Sequence, residues 1–143
     1  MKRSILACAL LLAAACDRLP TGGASDAVSV GTHAAVYDRD PAGPAVLVRF
    51  TLRNDGPDVL GFGRCGQAVS AEVERRTADG WEQASGTVCP AVLLMVPLEL
   101  PPGADYESGV PVAEPGRYRL RVTYGAPGRQ HARAALSNEF VVR

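Results

Sequence analysis

Pro115-Gly116-Arg117-Tyr118-Arg119-Leu120-Arg121-Val122-Thr123-Tyr124 is the stretch whose reading decides the fold. Side chains of an extended strand alternate between its two faces, so Tyr118, Leu120, Val122 and Tyr124 share one face and Arg117, Arg119, Arg121 and Thr123 the other. An apolar face opposite a polar one predicts a half-buried strand, entered through the Pro115-Gly116 turn. The three arginines stand about 7 Å apart along that strand. They could receive an acidic partner or pair with Glu72, Glu74 or Glu107 on neighbouring strands. Cross-strand charge pairs are ordinary, so the row is read as the solvent side of a structural strand.

The same period recurs on both sides of this segment. Val28, Val30, Thr32, Ala34 and Val36 alternate with other residues and predict one first strand from Ala27 to Tyr37. Asp38 to Pro44 is a turn by composition. Val46, Val48, Phe50 and Leu52 predict a second strand from Ala45 to Arg53, ended by Asn54-Asp55-Gly56-Pro57. Val59 to Gly63 is read as a short strand with a bulge, and Ala68 to Arg76 as a further strand. The Asp79-Gly80 turn leads into Trp81 and predicts a hairpin over Glu72 to Gln83. Ala91 to Leu100 is almost wholly apolar, and Pro97, Pro101 and Pro102 favour a buried strand over a helix. Asp105 to Val110 is a weak strand, and Gly125 to Ala135 a polar loop with one helical turn at His131 to Leu136. Asn138 to Arg143 closes the sheet with Phe140 and Val142 facing one way. Short strands separated by Pro, Gly, Asn and Asp predict an all-β sandwich of about seven to nine antiparallel strands.

Residues 1–15 are read as export machinery. Met1-Lys2-Arg3 is a positive n-region, Ile5 to Ala15 an apolar h-region, and Ala13-Ala14-Ala15 the small residues that precede cleavage. The run is too short for a membrane-spanning helix, which needs about 20 apolar residues. Leu-Leu-Ala-Ala-Ala before Cys16 resembles the lipobox of bacterial lipoproteins, which implies Cys16 as the first mature residue and the lipid-bearing one. Ala13 stands where Leu is usual, and a cleaved signal next to an unmodified Cys is the alternative. Residues 16–26 then form a flexible tether. The folded domain spans 27–143.

Cys8 leaves with the signal, so Cys65 and Cys89 remain as one pair in an oxidising compartment, where a disulfide is expected. Metal ligation is the rival reading, weakened by the lack of a nearby His or second Cys. Counting both cysteines, the loop holds 25 residues, and its closure is worth on the order of 3.5 kcal/mol in the chain-entropy model. Without Lys2 and Arg3 the chain has 13 basic residues against 15 acidic ones. No nucleic-acid partner is implied by that balance, and the membrane is reached only through the lipid.

Chemistry-bearing motifs are sparse. His33 and His131 are the imidazoles of the chain, and each is read as structural. There is no Gly-x-Ser-x-Gly elbow, no phosphate-cradling loop and no zinc motif, so no catalytic residue, metal or cofactor is assigned. Asp38 and Asp40, like Asp55 and Asp58, could hold calcium, although turn duty is commoner for such residues. Phe62, Arg64, Gln67 and the segment Thr87 to Met95, with Val92 and Leu93, flank the expected disulfide. A constrained surface of this kind loses little entropy on binding, so it is the candidate contact surface.

Glu114-Pro115-Gly116-Arg117-Tyr118 resembles the tyrosine corner of immunoglobulin-like domains, with Glu114, Gly116 and Tyr118 at the matching positions. Leu120 stands where antibody domains carry their second core Cys, so Cys65 and Cys89 serve elsewhere. Asn54-Asp55-Gly56, Asp79-Gly80-Trp81, Leu100-Pro101-Pro102-Gly103 and Ser137-Asn138-Glu139-Phe140 add to that corner. In this order they make Ala27 to Arg143 similar to the immunoglobulin-like domains of small bacterial lipoproteins. The resemblance implies a fold and an address without an activity: an exported, non-enzymatic domain, lipid-anchored in the cell or outer membrane and facing periplasm or exterior. Its expected role is contact with an unknown protein partner, or structural support, at the envelope. The layout is also similar to a bacterial proteinase inhibitor of β-sandwich type, which would present its Cys65 to Met95 loop to an extracytoplasmic protease.

Overall fold

The computed structural model describes residues 27–90, 96–129 and 133–143. Within them the chain is all-β, with β1 Val28–Thr32, β2 Val36–Tyr37, β3 Val46–Asn54, β4 Leu60–Phe62, β5 Arg64–Cys65, β6 Ala68–Val69 and β7 Ala71–Arg76. There follow β8 Trp81–Gly86, β9 Leu98–Leu100, β10 Asp105–Val112, β11 Gly116–Gly125, β12 Arg133–Leu136 and β13 Phe140–Val142. No helix among the described residues is long and apolar enough to cross a membrane.

Strand β3 is long because its period holds for nine residues, burying Val48, Phe50 and Leu52 and turning Arg49 and Arg53 outward. It is flanked by β1 and β10, both antiparallel, in a three-stranded sheet. Pro111 is tolerated in β10 because that strand lies at the sheet's edge, where a missing N–H breaks no second ladder.

The second sheet is built around β11. One edge of β11 pairs first with β13 (Tyr118 opposite Phe140) and then with β12 (Val122 opposite Ala135). The other edge pairs with β7 (Leu120 opposite Val73) and then with β4 (Tyr124 opposite Phe62). Strands β8, β9 and β2 extend the sheet outside β7, β4 and β13. The inner faces of both sheets meet in one cluster in which Val48, Phe50, Leu52, Val110, Phe62, Val73, Leu120 and Val122 have no solvent exposure. Rings fill its ends: Phe140 lies 5.8 Å from Tyr118 in a stacked pair and 5.7 Å edge-on from Tyr37.

Several expectations are corrected. The expected first strand is two strands. After Thr32 the ladder ends with His33 N–H donating to the Arg49 carbonyl, and the Tyr37 hydroxyl accepts from Ala34 N–H. The chain thereby crosses to the second sheet, where β2 pairs with β13 in parallel, so that sheet is mixed and not wholly antiparallel. Val36, in phase with Val28 and Val30 in the sequence, is exposed, and its neighbour Tyr37 packs on the core instead, so the inward face changes at the crossing. Strand β10 is longer than expected, and residues 133–136 are a strand on β11 where a helical turn was expected. Glu107 lies on β10 in the first sheet and cannot pair with the arginine row. Among the described residues thirteen strands replace seven to nine, because breaks at Ser70 and at residues 33–35 divide two segments that read as continuous and β5 and β12 lie where no strand was expected.

Candidate binding groove

Val122 to Tyr124 on β11 spans the interval that takes the opposing chain from Ala71 back to Phe62, so the intervening residues leave the sheet as an excursion. Ser70 N–H donates to the Gly63 carbonyl at 2.8 Å and closes its neck, and β5 pairs with β6 inside it. Its backbone is tied down by side chains of neighbouring strands and by the disulfide. The Tyr106 hydroxyl donates to the Gln67 carbonyl at 2.9 Å, and Val69 N–H to the Ser108 hydroxyl at 2.9 Å, fastening the excursion to the first sheet. The Thr87 hydroxyl donates to the Val69 carbonyl, and Cys65 is joined to Cys89 with Cα atoms 5.4 Å apart. Val96 N–H donates to the Arg64 carbonyl at 3.1 Å.

Two concavities lie beside this excursion, on either side of the turn at residues 126–129. The first, about 370 Å³, is lined by Asp58, Leu60, Tyr124, Arg129 and Arg133 among others. The second, about 250 Å³, is lined by Phe62, Arg64, Val96, Pro97 and Arg129 among others. Volumes of this order suit a side chain or a short peptide segment. Arg129 belongs to both because the turn presses onto β4 at Gly61, where an added Cβ would meet Pro127 Cα at 3.1 Å. A side chain at Gly61 would lift the turn and widen the separation.

The charge pattern around the groove differs from that of the remaining surface. Glu72 takes Arg121 at 2.9 Å, Glu74 takes Arg119 at 2.6 Å, Glu139 takes Arg117 at 3.5 Å, Asp38 takes Arg143, and Asp55 with Asp105 takes Arg53. Arg39 and Arg75 donate to the carbonyls of Ala113 and Pro115, and Arg76 lies over the Trp81 ring. Among the described residues this leaves the side chains of Arg49, Arg64, Arg129 and Arg133 without such a partner. Three of these four line the groove, and the Arg64 Nε is buried without a hydrogen bond.

The residues singled out in the sequence are placed as follows. Phe62 and Arg64 line the second concavity, Gln67 sits at the tip of the excursion, and Val92, Leu93, Cys16 and His131 lie outside the described residues. The Tyr118 hydroxyl donates to the Glu114 carbonyl at 2.8 Å, and Gly116 makes room for the ring, since a Cβ there would meet Tyr118 Cε2 at 3.1 Å. Burial pushes the Tyr118 pKa above its ordinary value, with nearby Arg75 opposing and Glu114 reinforcing the shift. His33 Nε2 bonds the Thr51 hydroxyl at 2.9 Å, and Asp40 accepts from Ala42 N–H in a turn. No three His, Cys, Asp or Glu among the described residues are grouped to hold a metal. Arg129 and Arg133 were missed because they fall in a segment read as a polar loop. Nothing local marks a loop arginine as groove-lining until β12 and β4 bring it beside Phe62 and Leu60.

No family model matches the chain, and no curated protein matches it. Among solved structures, the alkylpurine DNA glycosylase AlkC from Pseudomonas fluorescens, bound to DNA containing an abasic site analog, is similar at 15% identity and a TM-score of 0.42. The match covers 82% of this chain and spans 30% of that one. A likeness this loose carries neither function nor family.

Proposed function

We propose that the chain is a membrane-anchored, non-enzymatic lipoprotein domain with an immunoglobulin-like sandwich, making protein contacts at the bacterial cell envelope. The observation that carries this reading is the excursion from Gly63 to Ser70, pinned by Cys65–Cys89 and by both sheets, beside a groove of apolar floor and unpaired arginines. A surface held this rigidly loses little entropy when a partner docks. The sandwich and the address are supported by two sheets sharing one core, by the Tyr118–Glu114 hydrogen bond, and by the lipobox-like approach to Cys16.

The test is a photo-crosslinking residue placed at Val96, which is 46% exposed at the groove, in cells expressing the whole chain. A discrete envelope protein should be captured, and the extracted chain should have the mass of a form starting at Cys16 with lipid attached. A soluble, unmodified product would remove the anchor, and an absence of adducts would remove the contact role.

A second reading, a proteinase inhibitor, draws support from Val88, an apolar side chain 84% exposed immediately before Cys89. A protruding apolar residue beside a disulfide suits presentation to a protease. Stoichiometric inhibition of an envelope protease, lost in Val88→Asp, would favour it over the first reading.

A further inference from the structure

We infer that the groove recognises an acidic, extended peptide segment of a partner protein, with Arg64, Arg129 and Arg133 receiving its carboxylates and the apolar floor receiving a side chain between them. This rests on the protein-contact reading and names the partner's chemistry.

Three observations carry it. On the rest of the described surface, carboxylates, carbonyls and a ring occupy the arginine side chains, with Arg49 the exception. In the groove three guanidiniums face one carboxylate, that of Asp58. Guanidinium binds carboxylate through paired N–H donors, so a cluster without internal partners favours a ligand that supplies them. The lining between the arginines is apolar, from Leu60 and Tyr124 on one side of the turn and Phe62, Val96 and Pro97 on the other. Val59 and Val96, two of the exposed large apolar residues, open onto it. Finally, the cations are spread along both concavities on either side of Arg129. A single compact anion would engage part of this arrangement, whereas an extended segment with separated carboxylates reaches all of it.

The test presents the full-length chain, with its Cys65–Cys89 bridge intact, to random nonapeptides displayed on beads. The retained pool should be enriched in Asp and Glu flanking an apolar residue. Arg129→Gln should lower retention about tenfold, the value of one charge-assisted pairing. Arg117→Gln, which alters a guanidinium paired with Glu139 outside the groove, should leave retention unchanged. A pool without acidic enrichment, equal loss in the two variants, or release of selected peptides by equimolar inorganic phosphate or a DNA oligonucleotide would each overturn the inference. The crosslink from Val96 separates this from the broader reading. An acidic pool with no captured envelope protein keeps acid recognition and removes the contact role, while a captured protein with a neutral pool does the reverse.

Discussion

Tyr118 joins the core to a turn with one side chain, its ring 1% exposed against Phe140 and its hydroxyl on the Glu114 carbonyl. Tyr118→Phe should cost about 1 kcal/mol in urea unfolding near neutral pH, the ordinary value of such a bond. Its raised pKa gives a second readout. The unfolded tyrosine releases its proton near pH 10.0 while the folded one still holds it. Its contribution is therefore complete below about pH 10 and is lost as pH rises through the higher folded value. Tyr118→Phe should flatten that alkaline decline, and an unchanged slope would assign it to other groups. Asn54 is the buried polar side chain at the opposite pole. Its amide N–H groups donate to the carbonyls of Asp58 at 2.7 Å and Leu100 at 2.8 Å, and its Oδ1 accepts from Gly56 N–H. Asn54→Ala should destabilise by about 2–3 kcal/mol, because the Leu100 carbonyl loses its donor in a buried site and the Asp58 carbonyl in a half-buried one. Tyr118 was legible from its period and its Pro-Gly turn. Asn54 read as a turn residue, since nothing in Asn-Asp-Gly-Pro distinguishes a side chain pointing into the protein from one in water.

At the scale of the strand, β11 shows both what alternation conveys and what it leaves out. The period told which side of β11 is wet. It did not tell which carboxylates stand beside each arginine, because that depends on a long-range register. The pairs that form are unequal. Arg119 and Glu74 are 24% and 15% exposed, and Arg119 also lies 4.4 Å from the Trp81 ring centre, whereas Arg121 and Glu72 are 38% and 40% exposed. Exposed pairs contribute little, and shielding with a cation–π contact adds to the value. Arg119→Ala should cost about 1–2 kcal/mol and Arg121→Ala below about 1 kcal/mol. Circular dichroism is the suitable probe, since Arg119 touches the Trp81 fluorophore. Strand β12 escaped the sequence reading because four residues with one fully buried side chain, Ala135, give too short a pattern to declare a period.

Across the whole molecule, the excursion and its bridge link the two sheets through side chains where no strand pairing does. Replacing both Cys65 and Cys89 with Ser should lower stability on the order of 3 kcal/mol while leaving the circular dichroism spectrum all-β. Loss of the folded spectrum would mean that the bridge is needed to form the core and does not only constrain the unfolded chain. All-β class, the strand periods and the cysteine pair were legible because each depends on local pattern or simple counting. The groove was half legible. Phe62 and Arg64 adjoin Cys65 in sequence, but Arg129 and Arg133 reach them only through β-pairing some 60 residues away. The hydrogen bonds at one pole carry a mechanical meaning. The Ala27 carbonyl accepts from the N–H groups of Asp55 and Gly56, and Asn54 holds Asp58, which lines the first concavity. Were the chain anchored and liganded as proposed, a pull from its N-terminal side would reach the groove by a short route through this turn, with the β1–β3 ladder sharing the load.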